Sequence, residues 1–474
     1  MSQARIFVFG LDGASWKLID PWIKEGRLPF LGQLSRQGIK KDLISTMPPR
    51  TAPAWASFIS GQTPDEHGVY DFFVKDNPFV DGDGRLVNGS WLTNKFWKKW
   101  KQKRVALINL PLGHPVERVR GVLVSSFLTP PQAQFVYPAK MASVLIQLGY
   151  QSGQLGFLDE HLGQETNRQL LAQVKVQMQA RFRLAEYLLK NDDFDFFFML
   201  LRATDLCQHL FWKDKRTLKI YQEIDSFLAD FYRKASKKYG ARNIQLMIIS
   251  DHGFHPTPTW QFNIYPWLRQ NGFLPRSVKA QAGALLRKVW FWEKDKTKSR
   301  FKDWGLEKTV RIGSFGLWTK NLSTRKELVE KLSNLEFMGK KVFQLLDLRE
   351  NVYPKSKKGS IWDLVWLTNP EFSIGPCSIE RKLFVKNGPG LKGTHDSDRR
   401  GIFLFKGVGG KRILRDWENK DLHIWELSQL FNKIFGLDKT KTKARPRLPT
   451  KSKALSKEEE ELIKKRLRQL GYLR

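Results

Sequence analysis

Acidic residues are scarce in this chain: 47 Asp and Glu stand against 81 Lys and Arg, a formal net charge of +34 over 474 residues. That imbalance disfavours basic partners. It favours anionic ones, namely phosphorylated small molecules, nucleic acid or an anionic membrane surface, with a merely solvated basic exterior as the plainer reading. Cysteine is nearly missing. Cys207 and Cys377 are the two present, too few for a disulfide framework or a thiolate metal site. Long apolar runs are also missing, since "FFFMLL" at 196–201 falls far short of the ~20 residues a membrane-spanning helix needs. The opening text "MSQARIFVFGLDGA" shows neither the charged head nor the long apolar stretch of a signal peptide, so a cytoplasmic location is expected. What remains is 41% hydrophobic and 13% aromatic, the composition of a globular chain with a large core.

Three short apolar runs end alike. "RIFVFGLDGA" ends on Asp12, "FDFFFMLLRATDLCQH" leads to Asp205 and His209, and "IQLMIISDHGF" ends on Asp251 and His252. Unbroken apolar runs of this length suit central parallel strands covered on both faces. Further strands are expected at 104–110, 121–127 and 401–407, with helices at 164–191 and 216–238. The alternation predicts a doubly wound, mostly parallel α/β sheet with helices on both faces. Ligands of such sheets bind beyond the carboxyl ends of the strands, so three strands deliver carboxylates and imidazoles to one rim. The reading assigns 1–437 to one main domain, with 262–392 as an insertion shaping access to the rim and no separate second folded domain evident. Residues 438–474 are read as a basic linker ("KTKTKARPRLPTKSK", 439–453) and a short helix whose Ser456 and Glu459 have capping-box spacing. A second basic segment is "KFWKKWKQKR", 95–104.

Asp205 and His209, four residues apart on a helix, face the same way and can share a metal ion. His395, in "KGTHDSDRRGIFLFKG", is a third ligand candidate, and Asp12, Asp251 and His252 form a second set. Mixed Asp/His ligation suits Zn²⁺ best, then Mn²⁺ or Fe. Two ions about 4 Å apart can stabilise the entering and leaving oxygens of a phosphoryl displacement. A hydroxyl is needed at the same rim, and "MPPRTAPAWASFISGQTPDEHG" offers Thr51, expected to cap the helix that follows and to lie where backbone N–H groups meet a phosphate.

These segments, taken with "TDLCQHLFW", "ISDHGF" and "GTHDSDRRGIF" in that order, resemble the alkaline phosphatase superfamily, and within it the type I phosphodiesterase/nucleotide pyrophosphatase branch. The resemblance spans residues 5 to about 407. It implies that Asp205, His209 and His395 hold one divalent ion while Asp12, Asp251, His252 and the Thr51 oxygen hold the other. It also implies a phosphothreonine intermediate that is then hydrolysed, and an anionic phosphate ester as substrate. One position departs from the pattern. Ala54 stands where members of this branch usually carry an Asn three residues after the threonine, so charge stabilisation must come from elsewhere, with Arg50 one option. Thr51 followed by "APAW" also lacks the Cys or Ser setting of sulfatases. Alternatives on the same core are a phosphomonoesterase or a phosphoryl transferase, and outside enzymes a polyanion-binding protein. Asp396 and Asp398 are expected to orient His395, His67 to be structural, and His114 and His255 to lie at the surface or behind the ligands.

Overall fold

The computed structural model describes residues 4–74, 84–130, 132–151, 164–274, 310–356, 361–375, 382–388, 390–437 and 456–469. Its centre is a nine-stranded sheet built from β1 (Arg5–Leu11), β2 (Ile39–Ile44), β3 (Val105–Leu110), β4 (Gly121–Ser125), β5 (Val136–Tyr137), β6 (Phe196–Leu201), β7 (Ile244–Ile249), β8 (Arg400–Lys406) and β9 (Leu422–His423). The spatial order is β9-β2-β8-β7-β1-β6-β3-β4-β5. Strand β1 lies between β6 and β7, parallel to both, with Leu11 opposite Leu201 and Gly10 opposite Ile249. All six residues of β6 and of β7 are buried, which is why their sequences run apolar without alternation. Strand β8 departs from the parallel expectation: it runs antiparallel to both β7 and β2. The chain therefore turns back at the rim immediately before β8, and His395 lies in that turn.

Helices α1 (Thr51–Ser60), α2 (Gln164–Asn191), α3 (Ala203–Phe211) and α4 (Lys215–Tyr239) belong to the same unit. Helix α1 is buried along its whole length, and its approach to the sheet depends on a missing side chain. A Cβ on Gly10 would stand 2.8 Å from the Trp55 indole and 2.9 Å from Leu200. No larger residue fits while Trp55, itself fully buried, rests on the strand. No described helix is long and apolar enough to cross a membrane.

The chain divides into two compact units, one of residues 1–74, 86–256 and 390–474 and the other of 75–85 and 257–389. The second has its own hydrophobic core, including Phe262, Trp267, Leu364 and Trp366. It contains a four-stranded antiparallel sheet (Val310–Gly313, Gly316–Thr319, Leu364–Thr368, Phe343–Leu348) and a three-stranded one around Trp260–Asn263. The sequence hid this core because its strands are mostly of three to five residues, too short to stand out as apolar runs. This core falls largely within 262–392, the stretch read from sequence as an insertion.

Two basic segments have different outcomes. In 95–104, Phe96, Trp97 and Trp100 are buried and Lys95 pairs with Glu117 at 3.1 Å, leaving Lys98 and Lys99 exposed. The stretch 439–453 lies outside the described residues. The helix beyond it, α5 (Lys457–Gln469), keeps the expected capping box, with Ser456 N–H donating to Glu459 and Glu459 N–H to Ser456 Oγ. This helix is docked. Ile463 is fully buried in the main core, and Glu460 accepts the Leu86 N–H at 3.4 Å. Ile463→Ala should therefore cost about 2–5 kcal/mol in urea unfolding, whereas Leu462→Ala, at a site 49% exposed, should stay within about 0.5 kcal/mol. Equal, negligible effects would show that α5 does not belong to the folded core.

Candidate metal centre

The register of β6, β1 and β7 brings three chain segments to one rim, and the seven residues expected there can be traced individually. Asp12 directly follows β1, and Asp251 and His252 follow β7 by two and three residues. Asp205 and His209 face the rim from α3. Two other α3 residues, also four apart, fasten the helix to the end of β1: Thr204 Oγ1 donates to the Asp12 carbonyl at 2.6 Å and Gln208 Nε2 to the Gly13 carbonyl at 2.8 Å. Gly13 itself has φ of +65°, and a Cβ there would meet Asp205 Oδ1 at 3.2 Å. That conformation aims the Gly13 N–H at Asp251 Oδ1, 3.1 Å away. A side chain at Gly13 would thus be strained and would crowd the Asp205 carboxylate.

The polar groups gather in two overlapping sets. The ligand atoms of Asp205, His209 and His395 lie within 4.8 Å of one another, and so do those of Asp12, Asp205 and His252. Asp205 is common to both, which differs from the division implied by the family resemblance, where it serves one ion alone. Asp251 adjoins the second set, its Oδ2 lying 3.2 Å from His252 Nε2. The imidazoles of His252 and His395 stack at 3.9 Å and link the sets. All of these residues are buried.

The imidazoles share one arrangement. Nδ1 of His209 lies 2.9 Å from the Gly393 carbonyl, that of His252 is 3.0 Å from the Gly253 carbonyl, and that of His395 is 3.0 Å from the Pro49 carbonyl. A carbonyl only accepts, so each Nδ1 carries the hydrogen and each neutral ring keeps its lone pair on Nε2. That lone pair faces carboxylates: His209 Nε2 is 3.4 Å from Asp205 Oδ1, and His252 Nε2 is 3.8 Å from Asp12 Oδ1. Lone pair against carboxylate is repulsive until a proton or a metal cation sits between them. Meanwhile, among the described residues, neither Asp12 oxygen finds a hydrogen-bond donor, and Asp251 Oδ2 and His252 Nε2 make no hydrogen bond. Buried polar atoms in that condition are costly unless a ligand satisfies them. The donor set therefore fits divalent cations with oxygen and imidazole ligation.

Burial and charge crowding move the acidities of the cluster in both directions. Burial, then repulsion from Asp251 and Asp205, holds Asp12 well above the usual carboxylate range. Burial raises Asp251 as well. Burial would also raise Asp205, but attraction from His209, His395 and His252 prevails and lowers it. His209 is raised because Asp205 outweighs burial, while burial and the neighbouring His252 push His395 well below its ordinary value.

Thr51 is not the helix cap expected of it. Arg50 occupies the cap position in extended conformation and its carbonyl receives the first helical bond, from Ala54 N–H at 3.0 Å. Thr51 is the first helical residue, fully buried rather than exposed, and its Oγ1 makes no hydrogen bond among the described residues. Pro49, two residues earlier, is the carbonyl that holds His395, and Trp55, one turn later, rests on Gly10. The start of α1 is thus tied to two of the segments that carry the cluster.

Other expectations need correction. The group orienting His395 is the Pro49 carbonyl, not a carboxylate: Asp396 stands 4.0 Å from Nδ1, and Asp398 is engaged by Lys17 at 2.8 Å and by the Arg400 N–H. The Arg50 guanidinium lies between Asp71 (3.1 Å) and Asp396 (3.6 Å). His67 is structural as expected: its Nδ1 accepts the Val69 N–H, its Nε2 meets Ser57 Oγ at 2.9 Å, and burial pushes it down to about 3. His255 and His114 are buried, which excludes only the surface alternative of the two expected for them. Sequence reasoning missed Arg202, whose Nε lies 3.6 Å from Asp12 Oδ2. The single cation in "LLRATD", next to an apolar strand, was the signal for it.

The sequence model of the family described as "Type I phosphodiesterase / nucleotide pyrophosphatase" matches residues 6–398. Among solved structures, phosphonoacetate hydrolase from Sinorhizobium meliloti 1021, in complex with phosphonoformate, is similar with a TM-score of 0.60 at 15% identity, covering 91% of this chain and 95% of that one. Human ectonucleotide pyrophosphatase / phosphodiesterase 5 gives a TM-score of 0.51 at 11% identity, covering 92% and 95%. An inactive form of the murine protein in complex with AMP gives 0.51 at 10%, covering 92% and 96%. No curated protein matches. At these identities the structural likeness establishes the fold.

The unsatisfied Asp12 carboxylate generates a test. In chelator, Asp12→Asn should melt above the wild type, because it removes a buried charge; with Zn²⁺ or Mn²⁺ the order should reverse, because a ligand is lost. Asp12's folded-state pKa is raised, so its contribution to stability is present at low pH and lost as pH rises through that value. The advantage of Asp12→Asn in chelator should accordingly grow with pH. A pH-independent difference, or an unchanged order on adding metal, would contradict this account.

Proposed function

The chain belongs to the type I phosphodiesterase/nucleotide pyrophosphatase family, and on that premise we propose that it hydrolyses phosphate esters using Thr51 as nucleophile and two divalent metal ions. The observation that carries this reading is the buried cluster in which imidazole lone pairs face carboxylates. Zn²⁺ is the preferred occupant and Mn²⁺ the second. One ion would be held by Asp205, His209 and His395, the other by Asp12, Asp251, His252 and the Thr51 oxygen, with Asp205 near both. When bound, the ions supply Lewis acidity that offsets phosphoryl charge and favours an ionised hydroxyl.

The protein's own groups then have defined tasks. Thr51 Oγ1, with no hydrogen bond to break, attacks phosphorus as its P–O bond forms and the bond to the leaving oxygen breaks. Water subsequently attacks the phosphothreonine and releases the phosphoryl product, restoring the hydroxyl. The fixed Nδ1–H···O=C contacts of His209, His252 and His395 hold their Nε2 atoms in place throughout, which limits reorganisation during the reaction. Arg50 and Arg202 supply positive charge beside the cluster, both already engaged with carboxylates. Ala54 offers no side-chain donor, so these guanidinium groups and the start of α1 take the role of stabilising charge.

Purified from metal-replete medium, the protein should carry about two Zn²⁺ or Mn²⁺ per chain, lose turnover of bis-p-nitrophenyl phosphate in chelator and regain it on re-addition. Thr51→Ala should lower kcat roughly 100-fold or more while keeping the metal, and Thr51→Ser should retain much more. Rapid-quench mass spectrometry should detect a phosphoryl adduct on the peptide containing Thr51. A folded, metal-loaded Thr51→Ala protein that turns over like the wild type would overturn the nucleophile assignment.

A further inference from the structure

Helix α3 carries two pairs of polar residues, each spaced four apart and offset from one another by one position. Asp205 and His209 belong to the buried cluster. Thr204 and Gln208, both fully buried, reach instead the backbone that leaves β1. Thr204 Oγ1 donates to the Asp12 carbonyl at 2.6 Å, well inside its 3.3 Å approach to the Leu201 carbonyl. Gln208 Nε2 donates to the next carbonyl along, that of Gly13, at 2.8 Å. A carbonyl only accepts, which assigns the amide nitrogen to that side and leaves Oε1 facing the Tyr221 hydroxyl on α4, 3.3 Å away. Tyr221 is fully buried as well.

The effect of these contacts lies in the peptide group that Thr204 holds. The Asp12–Gly13 peptide is trans, so its C=O and N–H point opposite ways. Its oxygen receives Thr204 Oγ1, and its N–H donates to Asp251 Oδ1 at 3.1 Å. One peptide thus stands between the hydroxyl and the carboxylate. Acceptance at the oxygen polarises that peptide and strengthens its N–H as a donor. Gln208 fixes the following peptide, so the turn at Gly13, with φ of +65°, is gripped on both sides. Asp251 shares the buried cluster with two like charges, Asp12 and Asp205, which push its carboxylate aside unless a donor holds it.

We propose that Thr204 and Gln208 are positioning residues for the ion site of Asp12, Asp251 and His252. By gripping two consecutive peptides they keep the Gly13 N–H on Asp251 Oδ1, and so hold Asp251 Oδ2 beside His252 Nε2, 3.2 Å away. This deepens the two-ion phosphoesterase reading above, on which it rests. The competing account is a plain anchor that satisfies two buried carbonyls and ties α3 to β1. An anchor of that kind serves both ion sites alike, because Asp205 and His209 ride on the same helix. The positioning role serves one of them.

The test uses the full chain, stripped of metal and titrated with Zn²⁺ against a chromophoric chelator. His209→Ala leaves the Asp12–Asp251–His252 set to be titrated, and Asp251→Asn leaves the Asp205–His209–His395 set. Thr204→Val keeps the branched shape and loses the hydroxyl. It should weaken Zn²⁺ binding roughly tenfold or more in the His209→Ala background, the ordinary effect of losing a group that orients a ligand. In the Asp251→Asn background it should change binding by no more than about threefold. Thr204→Ser restores the hydroxyl and should stay within about threefold of threonine in both. Gln208→Leu should follow Thr204→Val, and it carries the comparison if the valine variant does not fold. Equal weakening in both backgrounds, no weakening in the first, or a serine variant as weak as the valine one would overturn the positioning role. So would a wild type that binds no Zn²⁺. Turnover of bis-p-nitrophenyl phosphate by the Zn²⁺-loaded wild type separates the two claims. Selective weakening without turnover counts against the phosphoesterase reading alone, and turnover without selective weakening against the positioning role alone.

Discussion

Like charges held out of water are the constraint from which the rest of the rim follows. Asp12, Asp205 and Asp251 are all fully buried around three imidazoles, and desolvation is the first cause acting on each carboxylate. Such a cluster tends to expand or to take up protons. What resists is backbone. Gly13 N–H fixes Asp251, and three carbonyls from different loops fix the imidazoles. These partners are backbone atoms with no side chain to rotate, so the carboxylate and imidazole atoms they hold are fixed in place.

The helix that begins at Thr51 depends on the same economy of space. Trp55 can rest on the sheet only because Gly10 has no side chain, and that contact holds α1 against β1 close to Asp12. Pro49, just before the first residue of α1, fastens its start to His395. Ala54 fits this arrangement: it is fully buried between Pro53 and Trp55. The departure from the family pattern at this position thus coincides with tight packing, and the cations near the rim, Arg50 and Arg202, are drawn from outside the helix body.

Much of this was legible in the sequence. The runs ending at Asp12, Asp205 and Asp251 signalled buried parallel strands because period-two alternation is missing from them, and the i, i+4 spacing of Asp205 and His209 placed both on one helical face. Other features were not legible because they depend on backbone groups, to which sequence assigns no identity. The carbonyls of Pro49, Gly253 and Gly393 are of this kind, and the acids beside His395 were a misleading substitute for them. Thr51 was read as a cap from residue type, yet Arg50's extended conformation took that position. The core of the second unit escaped notice because its short strands are scattered between 260 and 386.

Strand β8 sits between β2 and β7 although it comes some 360 residues after β2 along the chain, and Ile463 enters the same core later still. During synthesis, therefore, β2 and β7 emerge long before the strand that must separate them. Closure of so long a loop is entropically slow, and contacts of such sequence separation slow folding. Until residue 406 is made, two sheet edges stand open on an apolar chain, which is a state prone to mispairing. His395 arrives with that late strand, so the last imidazole of the candidate centre is delivered by the event that joins β2 to β7 through β8.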